Sequence, residues 1–174
     1  MKNKPKRRYW LMKSEPSCFS FEDLKASPGG VAHWDGVRNY QARNLMRDEI
    51  RPGDGVLFYH SSIKMPAIVG LATVVSPGYP DHTAWDPASG HYDPKAGPDH
   101  PIWFMVDVRY LADLNPPVTR DDLRAHPDLE GMGVLKKGNR LSVMPVTEAE
   151  WRAVIAISIG DDPLEQQSAE EVNR

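Results

Sequence analysis

Three short segments share one pattern, and it constrains the fold more than any other feature of the chain. FSFEDL (19–24), VTRDDL (118–123) and VTEAEW (146–151) each run apolar, Ser or Thr, two residues, Asp or Glu, apolar. The hydroxyl can accept from the backbone N–H three residues on, and the acid can reach back to the N–H of the Ser or Thr. Two orphan donors at a helix start are then satisfied. The apolar pairs Phe19 with Leu24, Val118 with Leu123 and Val146 with Trp151 staple the entering chain. Three helices are therefore predicted, with Ser20, Thr119 and Thr147 as N-caps. The first two are short, because Pro28 and Pro127 stop them. A fourth helix is predicted behind Asn39, where Ala42, Leu45, Met46 and Ile50 keep helical spacing up to Pro52-Gly53.

Between these helices lie segments rich in Val, Ile and aromatic residues: RYWLM (8–12), VLFYHS (56–61), AIVGLATVV (67–75), IWFMVDVRYL (102–111) and RLSVMPV (140–146). They read as strands. The run 67–75 is apolar at both alternations, so both of its faces are covered, and Gly70 inside it predicts a bulge or a barrel corner. The fold class is α+β: a small pseudo-barrel of five to six mostly antiparallel strands with short outer helices. The longest irregular piece, 76–101, carries Tyr79, Trp85 and Tyr92, which favours folding back over the barrel.

The chain has 174 residues, enough for one core of ordinary size. Its 16 prolines predict many turns. Five of the first eight residues, MKNKPKRR, are Lys or Arg, and the last fourteen, DDPLEQQSAEEVNR, hold five acids. We read 1–8 as a basic flexible tail, 9–158 as the folded domain and 159–174 as an acidic flexible tail. No apolar run of membrane-spanning length occurs and no apolar signal segment follows the basic start, so no membrane association is expected. The one cysteine, Cys18, excludes an internal disulfide.

No nucleophile elbow, HExxH, P-loop or GxGxxG motif is present. The long loop gathers Asp81, His82, Asp86, His91, Asp93, Asp99 and His100, but their spacing fits no metal motif, and Asp before Pro is ordinary turn chemistry. We expect no metal, no cofactor and no catalysis. A less favoured reading is a metal-dependent nucleotide hydrolase working through this loop. Arg43, Arg47 and Arg51 recur every four residues, on one helix face, in spacing suited to tracking phosphates. Trp10, Trp103 and Phe104 lie in apolar strands and belong to the core. Trp34, Tyr40, Trp85 and Tyr92 stand instead among Asp, Asn, Arg, Gly and Pro, the surroundings of a pocket for a flat polar ring.

Seven blocks in order, YWLMKSEP (9–16), WDGVRNYQARN (34–44), GDGVLFYHSS (53–62), PAIVGLATVV (66–75), YPDHTAWDPASGHYDPK (79–95), WFMVDV (103–108) and RLSVMPV (140–146), resemble the EVE domain. That family is related to PUA domains and, more distantly, to YTH domains, which hold a methylated adenine in an aromatic cage. The resemblance implies a PUA-like fold, no known catalysis, and recognition of a modified base, such as a modified cytosine, in DNA or RNA. Taken with the aromatic and arginine patterns above, it implies a base pocket built from Lys13, Ser14, Glu15, Trp34, Asn39, Tyr40, His60, Ser61, Trp85, Asp86, Tyr92 and Asp93, with phosphate contacts from Arg38, Arg43, Arg47 and Lys95. Two departures stand out: Ser62 where the family commonly has Asn, and His91 where it usually has the first of two Tyr. The expected partner is a single strand or a flipped base. The expected state is a monomer, cytoplasmic in a bacterium or nuclear in a eukaryote. A small-molecule or nucleotide sensor using the same pocket is the alternative.

Overall fold

A computed structural model describes residues 3–173. Its elements run β1 (Tyr9–Ser14), α1 (Phe21–Ala26), β2 (Val31–His33), α2 (Tyr40–Asp48), β3 (Gly55–His60), β4 (Ala67–Val74), β5 (Tyr79–Pro80), β6 (Phe104–Met105), β7 (Asp107–Thr119), α3 (Arg120–Ala125), β8 (Val143–Val146), α4 (Glu148–Ser158) and α5 (Pro163–Val172). Ser20, Thr119 and Thr147 each close a reciprocal capping box, at α1, α3 and α4. Asn39 caps α2 through a bond from the Ala42 N–H.

Six strands form one mixed sheet in the order β2-β7-β4-β3-β1-β8, and β5 pairs with β6 beside it. β1 and β3 run parallel, while β8, β4, β7 and β2 join antiparallel. A parallel pair needs a long crossover, and here α1, β2 and α2 provide it. Alternation along the strands divides the apolar side chains between two cores. Trp10, Met12, Val56 and Phe58 face α1, α2 and Trp34 on one side. Leu11, Leu57 and Tyr59 face α3 and α4, with Trp151, on the other. β4 serves both cores, as its double apolar alternation predicts.

Gly70 is where the bulge was expected: the β4–β7 register shifts between Ile68 and Gly70. A side chain there would collide with the Phe21 ring at about 2.0 Å, so the bulge also makes room for α1. The expected strand 102–111 is two strands, β6 and a longer β7. The Pro116-Pro117 pair rides in an unpaired excursion between Asp113 and Val118. The acidic end is not simply a tail. Asp162 caps α5 and accepts the Trp151 indole N–H at 2.8 Å, and Leu164 is buried. At the basic end the Arg8 amide bonds the Asp54 carboxylate and Arg7 Nε bonds the Gly53 carbonyl, so this segment is tied to the β3 turn.

Candidate functional site

At the end of β1 the chain turns under Phe19 toward α1, and β2 returns alongside. Between them lies a cavity of about 850 Å³. Lys13, Ser14 and Glu15 form one rim, and His33 and Asp35 form another. Trp34 is the floor. It is only 7% exposed, its amide donates to Val106, and its ring stands edge-on to Phe58 at 5.2 Å and to Phe19 at 6.3 Å. Trp34 is thus part of the core and of the cavity at once. Three other indoles donate to carboxylates: Trp10 to Asp54, Trp103 to Asp93 and Trp151 to Asp162. The Trp34 N–H finds no acceptor among the described residues, which leaves a hydrogen-bond donor at a cavity wall.

The roof comes from the long loop, and Asp81 positions it. This fully buried carboxylate accepts from the Gly36 N–H and Arg38 Nη1, each at 2.9 Å, and from the backbone and hydroxyl of Thr83. Burial pushes its pKa up, but these donors outweigh burial and hold it below the usual carboxylate value. Arg38 also grips the His91 carbonyl, with Nη2 at 2.7 Å and Nε at 3.1 Å. The His91 imidazole then lies flat on Gly36, where a Cβ would come within about 2.5 Å of the ring. Gly36 also has φ +78°, so only glycine suits both the turn and the ring above it.

The expected base-pocket residues divide in two. Lys13, Ser14, Glu15 and Trp34 line the cavity together. The others lie outside the cavity, and the side chains of Asn39, His60, Asp86 and Asp93 are engaged in hydrogen bonds. Asn39 is spent as a helix cap. Tyr40 is 59% exposed and stacks on Trp103 at 5.0 Å, so it faces outward. His60 Nε2 accepts the Phe21 N–H at the start of α1. Ser61 donates its amide to Ser14 and borders a different cleft. Trp85 is half-buried in the turn 82–85, Asp86 holds the Ala88 amide, and Tyr92 is exposed. Asp93 accepts from Trp103 Nε1 and the Lys95 amide.

Among the expected phosphate contacts, Arg38 is committed to Asp81 and His91. Arg43 binds the Ile102 carbonyl and lies over the Tyr40 ring. Arg47 pairs with Asp48, and Lys95 is exposed. The ring that the long loop brings to the cavity is His91, not Trp85 or Tyr92. The sequence flagged His91 as a departure and as one of the loop's Asp and His residues, not as a pocket residue, and did not place Phe19, His33 or Gly36 at the site. The usable signal was the Gly after Trp34-Asp35, a close-approach residue facing a distant loop. Among the described residues no group of three or more His, Cys, Asp or Glu gathers to hold a metal. None of the helices there is long and apolar enough to cross a membrane.

A curled six-stranded sheet, helices on both faces and a polar-rimmed cavity at the end of its parallel pair define a PUA-like domain. The chain belongs to the EVE domain family, whose model matches residues 8–157. It is 40% identical to mouse thymocyte nuclear protein 1 over 166 residues, covering 86% of this chain and 73% of the relative. The crystal structure of a Pseudomonas syringae protein is similar at TM-score 0.81 and 44% identity, covering 86% of this chain and 98% of that one. The structure of the human THYN1 protein in complex with 5-methylcytosine-containing DNA is similar at TM-score 0.82 and 38% identity, covering 89% and 99%.

Proposed function

We propose that the protein is a non-catalytic nucleic-acid-binding module that reads a modified base, a modified cytosine foremost, in the cavity floored by Trp34. The observation that carries this reading is an aromatic floor with a free N–H beneath a rim of Lys13, Ser14 and Glu15. The human relative's complex with 5-methylcytosine-containing DNA supports it. Trp34 Nε1 donates to an acceptor on the base edge, and the Glu15 carboxylate accepts from an exocyclic amine. The base methyl rests against Phe19. His91 closes the roof. Lys95 and Arg47, both at the surface, reach the strand's phosphates.

Magnitudes set what such a site prefers. Stacking contributes about 1–3 kcal/mol per base, and extruding a base from a duplex costs a few kcal/mol. Single strands and weakened pairs, in DNA or RNA, therefore bind best. One methyl in an apolar slot contributes about 1–3 kcal/mol, so discrimination lies between about tenfold and a hundredfold. The protein acts as a monomer where nucleic acid is accessible, the cytoplasm in a bacterium or the nucleus in a eukaryote. The test is binding of short single-stranded oligonucleotides with cytosine or 5-methylcytosine. Trp34→Phe keeps a ring in the core and removes the donor, so it should lose about tenfold in affinity while remaining folded. Equal affinity of the parent for both oligonucleotides would sink the proposal.

A further inference from the structure

Beyond the cavity, on the other side of Lys13, lies a second cleft of about 260 Å³. Lys13 sits in β1 beside Tyr59, its register partner in β3, and its side chain is a wall of both spaces. Arg120 enters the cleft from the start of α3, and Lys136 and Lys137 enter from the turn before Asn139. No carboxylate lines it among the described residues, although the chain as a whole carries a net charge of −3.

Arg120 Nε is buried with no hydrogen-bond partner, alone in this among the side-chain atoms of the described residues. A buried guanidinium N–H without an acceptor is costly, and an anion entering the cleft would relieve it. The frame around it is rigid. The Arg120 amide is held by the Pro66 carbonyl, and the Asn139 side chain bonds the Gly133 carbonyl and the Leu141 amide. Ser61 also lines the cleft, while the Ser62 hydroxyl donates to the Glu15 carboxylate at 3.2 Å. The Lys13 pKa is lowered, first by burial and then by Arg120, as expected where cations crowd without a counter-ion.

We propose that this cleft seats a backbone phosphate of the bound strand, with Arg120, Lys136 and Lys137 as its donors and Lys13 between phosphate and base. The proposal deepens the base-reading function and rests on it. A nucleotide whose base enters the cavity would carry its backbone past the neighbouring cleft. Guanidinium and ammonium groups together match a phosphodiester's oxygens and charge.

The test compares the parent with the double variant Lys136→Ala, Lys137→Ala, both exposed positions, and separately with Arg120→Gln. The readouts are oligonucleotide affinity across salt concentrations and binding of the free 5-methylcytosine nucleoside. The double variant should lose about tenfold in oligonucleotide affinity, and its salt slope should fall by up to about 0.7, the share of one single-strand phosphate. Arg120→Gln should lose affinity on the same oligonucleotide. Nucleoside binding should be unchanged in both. An unchanged salt slope in the double variant overturns the proposal whatever the nucleoside does, and so does a parent that binds no oligonucleotide. A nucleoside that binds nowhere, beside a slope that still falls, sinks the base pocket and leaves the cleft standing. Inorganic phosphate should displace the oligonucleotide only weakly; displacement at comparable concentrations identifies a free-anion site and overturns the backbone assignment.

Discussion

Ser62, at the turn between β3 and β4, has φ +59°, in the left-handed region that most side chains enter only at a cost of about 1–2 kcal/mol. Asn enters it more readily, because its short amide bonds the local backbone. The Asn common at this place in the family therefore has a backbone rationale independent of any ligand. Ser62→Asn should stabilise the protein by up to about 1 kcal/mol, measured by urea unfolding. A similar ambiguity explains why several of the expected site residues lie outside the cavity. Asn39, Asp86 and Asp93 have the chemistry of base-edge contacts, yet each satisfies a nearby backbone or indole N–H. Residue type announces a polar group's capability; only its neighbours in space decide where that capability is spent.

α1 is held at its start by its capping box and by His60, whose neutral Nε2 accepts the Phe21 N–H at 3.1 Å. Burial lowers the His60 pKa from its ordinary value of 6.5. The folded state thus binds this proton less readily than the unfolded chain. The stability His60 contributes is fully present above pH ~6.5 and is lost as pH falls toward the lowered value. The protection of the α1 amides, exchange being corrected for its intrinsic pH dependence, should weaken as pH falls below about 6.5, and a His60→Gln variant should show no such step. Elements with local signals were legible in the sequence. The capping boxes of α1, α3 and α4 need only six residues each, and β1, β3 and β4 declare themselves by apolar content. β2, three residues long, exists through pairing with β7, a non-local cause. α5 is mostly polar, and its anchors, Asp162 and Leu164, gain meaning only against Trp151 and the second core.

At the scale of the molecule, two cores share one sheet, and α5 closes the second. Removing residues 160–174 would expose Leu164's site and leave the Trp151 indole without its acceptor, at a cost of about 3 kcal/mol. Thermal unfolding should shift down by roughly 6–12 °C for a chain of this size, with the Trp34 cavity unaffected in oligonucleotide binding. The overall architecture was readable because the strand segments and the family blocks agree, and Lys13, Ser14 and Glu15 do lie together at the cavity. The roof was not, since His91 meets Gly36 only through Asp81 and Arg38, across the longest loop. Because the indole beneath the cavity is also a brick of the hydrophobic interior, evolution has little freedom there: substitutions that altered it would threaten folding first. Drift toward a new ligand must begin at the brim, with Ser14, Glu15 or the imidazole overhead, so divergent members of such a lineage would differ in what they prefer while keeping the same ground beneath it.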